Sequence, residues 1–382
     1  MSTVIDALFQ PLQIGNLQLK NRLVMAPMTR NRSGLDGVPT ALNVEHYRQR
    51  ASAGLIITEG VYPEPMGNGY LFAPGLCNQA QVEGWRQVTE AVHAEGGTIF
   101  CQIMHVGRLS DPLMLGGAQP VAPSAVQPDP LARHYTVNCP RPKRAYPQPR
   151  ALNTEEVHQI INSYRRCAEL AREAGFDGVE IHAGSGYLPM QFLSSNTNQR
   201  DDEFGGSVEN RARFLLACVD AISAALGKEF VAVKISPGWT FHNVFDDDPV
   251  ATYSYLTQQL SSRAIAYLQV GDYGMDWDVY ATLRPLFDGP FMAVASFTRP
   301  RAAQMLASDQ CDLVGFGQAY IANPDLAERF RHGWPLNRPD IATYYTQGAT
   351  GYTDYPRHSE SQRDDLLDVD SALIAVSAEV TG

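Results

Sequence analysis

The chain lacks three things: an apolar run of membrane length, an excess of positive charge, and cysteines set in pairs. Each absence removes a class of protein. A membrane-crossing helix needs about 20 consecutive apolar residues. Nothing in the 382 residues approaches that, so no membrane partner is expected. Lys and Arg number 30 against 41 Asp and Glu, a formal net charge of -11. A nucleic-acid partner wants a basic face, so none is expected, and the acidic balance reads as solubility. Cys77, Cys101, Cys139, Cys167, Cys218 and Cys311 show neither Cys-x-x-Cys nor metal-ligand spacing. A chain this long needs no staples, so most read as buried small hydrophobes, and no metal site is expected. Met1-Ser2-Thr3-Val4-Ile5-Asp6 has no basic region followed by an apolar one, hence no secretory signal. A cytoplasmic location, in a reducing compartment, is the simplest expectation.

What the chain has instead is alternation. Leu8 to Lys20 reads as a hairpin around Gly15-Asn16, able to plug one end of a barrel. Eight short apolar strands follow: Leu23–Pro27, Leu55–Gly60, Thr98–Ile103, Val179–Ile181, Val231–Ser236, Ile265–Val270, Phe291–Ser296 and Cys311–Gly317. Helical patterns separate them, at Ala41–Ala51, Gln79–Glu95, from a cap at Thr154, Val208–Leu226 and about Pro249–Arg263. Near-continuous apolar strands alternating with helices imply a parallel sheet, and eight units fit closure. The expected fold is α/β: a single (β/α)8 TIM barrel over residues 1–356, with an N-terminal hairpin and a long loop after strand 3. That loop, Leu109–Arg150, is proline-rich and without period, including Pro140-Arg141-Pro142-Lys143-Arg144. It reads either as a lid over a strand-end site or as a mobile surface excursion. Residues 357–382, rich in Asp, Ser and Glu, read as a disordered tail.

The stretch from Gly175 to Arg213 organises the rest. Val179-Glu180-Ile181 is a strand behind the turn signal Phe176-Asp177-Gly178, and His182, Ser185 and Tyr187 follow it among Gly184 and Gly186. Polar groups in a glycine-loosened loop at a strand end suit an active-site mouth, although a His and a Tyr there serve packing equally well. A barrel would gather Thr29, Gly60, Gln102, His182, Ser185, Tyr187, Lys234, Ser296 and Gly317 on one face. Such a ring suits a planar heteroaromatic cofactor, with Gly315-Phe316-Gly317 as a backbone phosphate cradle.

The run Phe204-Gly205-Gly206-Ser207-Val208-Glu209-Asn210-Arg211-Ala212-Arg213-Phe214, with His182 followed by Gly186-Tyr187, resembles the signature of the old yellow enzyme family of flavin-dependent oxidoreductases. The resemblance runs from about Leu8 to Pro356. It implies FMN as cofactor, NAD(P)H as reductant and an electron-poor alkene of the enone or enal type as substrate, in a monomer or homodimer. Ala26-Pro27-Met28-Thr29-Arg30 is similar to the family's first-strand flavin motif, which places Pro27 and Thr29 at the cofactor. Gln102 matches the glutamine facing the pyrimidine edge, and Gly60 packs under the ring. Tyr187 matches the proton donor, and His182 one of two donors to the substrate carbonyl. Tyr70, Tyr344 and Tyr345 match aromatic residues lining the pocket.

Departures from the family pattern cluster at the cofactor. Lys234 stands where arginine is usual, keeping the charge but losing the planar fork. Ser185 replaces the second carbonyl donor, often asparagine or histidine, with a shorter side chain. Ala295-Ser296 stands for a Gly-Asn pair, Gln318 for the arginine on the phosphate, and Met104 for a bulky tryptophan. Beside an ene-reductase, these leave open a natural-product isomerase or cyclase, or a flavin-free ligand-binding or non-redox protein.

Overall fold

The architecture is that of a computed structural model, which describes residues 4–129, 145–360 and 365–371. An N-terminal hairpin, β1 (Leu12–Ile14) and β2 (Leu17–Leu19), leads into β3 (Leu23–Met25), α1 (Ala41–Gln49) and β4 (Leu55–Val61). Next come α2 (Gln79–Ala94), β5 (Ile99–Ile103), the short β6 (Val121–Ala122) and β7 (Arg150–Ala151), and α3 (Thr154–Glu173). The central part holds β8 (Gly178–Ala183), α4 (Leu188–Leu193), α5 (Val208–Leu226), β9 (Val231–Ile235) and α6 (Pro249–Arg263). Then follow β10 (Leu268–Gly271), α7 (Val279–Leu283), β11 (Phe291–Val294), α8 (Arg299–Ala307), β12 (Leu313–Phe316), α9 (Gln318–Ala322) and α10 (Leu326–His332).

Eight strands close into a barrel in the order β10-β11-β12-β3-β4-β5-β8-β9, each pairing parallel to its neighbours. All eight expected strands are therefore present, and the (β/α)8 barrel with it. Strand residues are buried on both faces, which is why the sequence shows apolar runs rather than alternation. Inside, Ile14 and Leu19 of the hairpin pack with Leu55, Phe100, Ala232, Tyr267, Met292 and Leu313. Leu55 and Leu313 begin their strands, so the hairpin plugs the end where the strands start. Outside, helices cover the staves. On α3 the buried residues Val157, Ile160, Ile161, Tyr164, Cys167, Ala168 and Ala171 recur at three- and four-residue spacing and make one apolar stripe.

Two local expectations are corrected. The cap of α3 is Asn153: its Oδ1 accepts from the Glu156 N–H at 2.8 Å, and Glu156 Oε2 accepts the Asn153 N–H at 2.9 Å. Thr154 instead gives its hydroxyl to Asp202 at 2.8 Å. The expected disordered tail is also packed over residues 357–360 and 365–371. Leu336 and Leu367 exchange backbone hydrogen bonds at 2.8 Å, Arg299 pairs with Asp370 at 2.7 Å, and His358 stacks on Trp334 with ring centroids 4.3 Å apart. The apolar positions Leu367 and Val369 anchor it, an apolar pair inside an acidic stretch. Residues 361–364 and 372–382 lie outside the described residues. So does 130–144 of the loop after β5. Where that loop is described, β6 and β7 zip its two ends together in parallel.

Candidate active site

The site is built where the strands end. Along β8, Glu180 and His182 are two residues apart and so face the same way. Gln102 of β5 stands opposite Glu180, Lys234 of β9 opposite His182, and Gln269 of β10 opposite Lys234. The Glu180 carboxylate is fully buried and accepts three hydrogen bonds: Gln102 Nε2 at 2.7 Å, Gln269 Nε2 at 2.7 Å and Tyr267 Oη at 2.9 Å. Burial pushes its carboxyl up, and Lys234 is the largest opposing influence. A carboxylate accepts only, so it fixes both amides with nitrogen toward Glu180 and oxygen away. Glu180 lies outside the set of site residues chosen from the sequence. A lone Glu in an apolar strand is the signal that finds it, since burial of a carboxyl demands donors.

His182 is buried, and burial, followed by the Lys234 charge, holds its imidazole well below the usual histidine range. It is therefore neutral at pH 7. The Gly184 N–H donates to Nδ1 at 3.3 Å, which assigns the remaining proton to Nε2. The chain then turns sharply. Ser185 has φ 54 and Gly186 φ 80, and the Ser185 N–H donates to Ser236 Oγ at 2.8 Å. A Cβ on Gly184 would lie 2.5 Å from that oxygen, so only glycine allows the turn to approach β9. Serine in the left-handed region is strained by about 1–2 kcal/mol, a conformation asparagine tolerates better. The turn delivers Tyr187 to the start of α4, its ring edge-on to His182 with centroids 4.8 Å apart.

Tyr187 Oη lies 2.6 Å from Tyr70 Oη, and its ring sits in a cluster with Met104, Val106, Leu109 and Tyr146. Tyr146, from the far end of the long loop, is a pocket residue that the sequence reading missed. Its ring is 6.0 Å from that of His242 in the loop after β9. Buried Arg108 ties these loops together, donating to Val126 O at 2.9 Å, His242 O at 2.8 Å and Asn243 O at 2.7 Å. Gly60 ends the β4 irregularity, and a Cβ there would fall 2.4 Å from Met104 Sδ. The two residues thus share one wall, with the glycine making room for the thioether.

Pro27 and Thr29 follow β3 and are half-buried. The loop carrying Tyr344 and Tyr345 is strapped to them from behind. Arg30 Nε donates to Tyr344 O at 3.1 Å and Arg32 Nη1 to the same oxygen at 3.0 Å. Between them sits Glu59, which accepts the Arg30 N–H at 3.1 Å; burial pushes its carboxyl up to about 7. Tyr344 is buried, whereas Tyr345 is 53% exposed at the mouth. Opposite, Ala295 and Ser296 follow β11, and Gly317 and Gln318 follow β12. Ala295, Gly317 and Gln318 are half-buried and Ser296 is exposed. The first-turn amides of Gln318 and Ala319 have no helical carbonyl ahead of them.

This donor set fits FMN. The Lys234 amine makes no hydrogen bond to a described residue, the Gln102 carbonyl is turned away from Glu180, and open backbone amides stand at Gln318 and Ala319. A cation, an amide acceptor and a set of N–H donors are what an isoalloxazine edge and a phosphate require.

Comparison with known proteins agrees. The model of the NADH:flavin oxidoreductase / NADH oxidase family matches residues 7–337. A probable flavin mononucleotide-dependent alkene reductase of Leishmania infantum is 43% identical over 363 residues, covering 93% of this chain and 98% of the relative. The 12-oxophytodienoate reductase 7 of Oryza sativa subsp. japonica is 39% identical, covering 91% and 94%. Morphinone reductase in complex with tetrahydroNAD superposes with a TM-score of 0.87 at 43% identity, over 92% of this chain and 97% of that one. The old yellow enzyme homologue from Zymomonas mobilis gives 0.88 at 39%, over 91% and 99%. With its closed barrel and its strand-end donors, this chain belongs to the NADH:flavin oxidoreductase / NADH oxidase family, the old yellow enzymes.

Proposed function

We propose that the protein is an FMN-dependent ene-reductase that uses NAD(P)H to reduce the C=C bond of electron-poor alkenes. The observation that carries this is the pairing of a neutral His182 with Tyr187. One offers Nε2–H to a carbonyl and the other an O–H to carbon, on adjoining turns of one strand end. FMN, when bound there, would supply hydride chemistry at the β-carbon, with NAD(P)H as the reductant. His182 holds the substrate carbonyl and draws charge onto it as that charge develops. Tyr187 gives its proton to the α-carbon. Tyr70, Tyr146, Met104 and Val106 exclude water from that point, with Tyr345 at the mouth and Tyr344 buried beside it. Ser185 is a shorter second donor to the carbonyl and grips it less firmly, directly or through water. Gln102 and Lys234 would hold the pyrimidine edge with Thr29. Pro27 and Gly60 would line the ring, and Ala295, Ser296, Gly317 and Gln318 would surround the phosphate.

The flavin-free reading loses its ground because Lys234 keeps the cation and the backbone donors at the phosphate end remain, and the likeness to alkene and 12-oxophytodienoate reductases favours ene reduction over an isomerase or cyclase. No helix among the described residues is long and apolar enough to cross a membrane. A cytoplasmic monomer or homodimer with no nucleic-acid partner completes the proposal. The test is anaerobic. Yellow holoenzyme bleached by NADH or NADPH regains colour on mixing with cyclohexenone and yields the saturated ketone. Colourless protein that cannot be reconstituted with FMN would refute the reading.

Gln318 gives a separate expectation. Where the family has a phosphate-pairing arginine, this chain has an uncharged amide, so Gln318→Arg adds one charge-assisted contact worth about 1.5–3 kcal/mol. FMN titrated into stripped protein should then bind roughly tenfold tighter or more. Unchanged affinity means that the phosphate does not sit beside residue 318.

A further inference from the structure

We propose that Tyr70 is a second catalytic residue of the proton-delivery step, its hydroxyl resupplying Tyr187 as Tyr187 protonates the substrate. This rests on the ene-reductase reading. The two hydroxyl oxygens are 2.6 Å apart, and no other described residue hydrogen-bonds the Tyr187 hydroxyl. For Tyr187 to aim its proton at carbon it must accept from Tyr70, which makes Tyr70 the donor of the pair in the reactive arrangement.

The loop that presents Tyr70 is built for a fixed position. The Tyr70 N–H donates to Asn68 Oδ1 at 3.1 Å, and the Asn68 carbonyl accepts from Ser110 Oγ at 2.6 Å. Between them Gly69 lies against the segment after β5, where a Cβ would be 2.6 Å from Val106 Cγ2 and 2.8 Å from Leu109 O. The β4–α2 loop is thereby clamped to the same wall that holds the Tyr187 ring. Tyr187 is buried in that wall, whereas Tyr70 is half-buried toward the mouth and exposed Tyr345.

The chemistry requires such a partner. A phenolate left at Tyr187 among Met104, Val106 and Leu109 has little to solvate it, so a donor at 2.6 Å stabilises the charge as it forms. Burial pushes both phenols up, Tyr187 well above its ordinary value and Tyr70 to about 12, so both hydroxyls carry their protons before the step. The Tyr70 O–H is therefore in place to donate across the 2.6 Å contact as the Tyr187 phenolate forms. The steps balance. The Tyr187 O–H bond breaks as the Cα–H bond forms, and the Tyr70 O–H bond breaks as Tyr187 O–H re-forms. The Tyr70 phenolate then takes a proton from solvent.

The experiment is a stopped-flow measurement of the oxidative half-reaction: holoenzyme reduced with NADPH is mixed with cyclohexenone across water and deuterium oxide mixtures. In the wild type the rate should curve with deuterium fraction, as two transferring protons require. Tyr70→Phe should slow this half-reaction about 10–100-fold and straighten the plot. FMN content and the absorbance of bound FMN should remain at the wild-type level, which a misplaced loop would not allow. A fluorotyrosine at position 187 of stripped protein gives a readout apart from turnover, since Tyr70→Phe should move its titration in fluorine NMR. A linear wild-type plot overturns the proposal, whether or not the variant folds. So does a Tyr70→Phe enzyme that reoxidises at the wild-type rate. If cyclohexenone leaves the reduced wild type unoxidised, the ene-reductase reading falls and the proposal with it.

Discussion

Tyr187→Phe slows reoxidation of the reduced enzyme by an alkene about 10²–10⁴-fold, the usual scale for a positioned proton donor. Reduction by NAD(P)H stays close to wild type. The substitution keeps the ring that packs edge-on to His182 and against Met104, Val106 and Leu109, and takes away only the hydroxyl. Because the proposed role confines the hydroxyl to the alkene, the two half-reactions separate that role from a general loss of structure. Substrate affinity should change little, since in the proposed mechanism His182 and not Tyr187 holds the carbonyl. The residual rate carries information too. With Tyr187 gone, Tyr70 has no acceptor at 2.6 Å, so adding Tyr70→Phe should slow the reaction little further. Two independent donors would give multiplying losses. Stopped-flow traces of each half-reaction in the two single variants and the double variant decide the matter. An oxidative half-reaction untouched by Tyr187→Phe rules that residue out as donor.

The barrel was legible in the sequence because a parallel strand buried on both faces is an apolar run, and each run here sits between helical patterns. Boundaries were less so. Ile265-Ala266-Tyr267 reads as the start of a strand, yet β10 begins at Leu268 and Tyr267 turns its hydroxyl to Glu180. Thr154 looks like a cap by composition, but Asn153 has its Glu partner three residues on, and geometry chose the pair that satisfies both amides. Of the site, His182 and Tyr187 come from the end of β8, Lys234 from that of β9 and Gln102 from that of β5, three strand ends that a barrel gathers by construction. Glu180, Arg108 and Tyr146 were missed for different reasons. Glu180 hides in an apolar strand, and its meaning appears only when Gln102, Gln269 and Tyr267 converge on it. Arg108 acts through backbone carbonyls of residues far away in sequence. Tyr146 belongs to a proline-rich loop with no period, where nothing local predicts which residue returns to the pocket. The packed segment around Leu367 was missed because its acidic neighbours outweigh two apolar residues in any composition argument.

Lys234→Met should lower the reduction potential of bound FMN and slow its reduction by NAD(P)H. Lys234 is buried on β9 between His182 and Gln269, and its amine donates no hydrogen bond to a described residue. The obvious alternative is an ion pair with Glu180 that would leave nothing for the cofactor. The structure argues against it. Glu180 is already held by three donors at 2.7–2.9 Å, and no Lys234 ion pair within 4.0 Å occurs among the described residues. Lys234 and Glu180 do feel each other, since the lysine is the largest influence lowering the Glu180 carboxyl, but at longer range. An unengaged cation in a polar, partly dry pocket favours whichever ligand state carries more negative charge, which for FMN is the reduced one. At an effective dielectric near 20, unit charges ~4 Å apart interact by about 4 kcal/mol, before desolvation is subtracted. Since about 30 mV corresponds to 1.4 kcal/mol for a two-electron couple, the fall should be some tens of millivolts. Methionine keeps most of the aliphatic stem, so the barrel interior stays filled and the change isolates the charge. Lys234→Arg should stay near wild type wherever the longer side chain fits. Glu180→Gln should move the potential the opposite way, because it removes the anion that tempers Lys234. Redox titration of FMN in these variants is the measurement, with FMN affinity of the stripped proteins beside it. Equal potentials in wild type and Lys234→Met would mean that the lysine serves the barrel interior and not the cofactor.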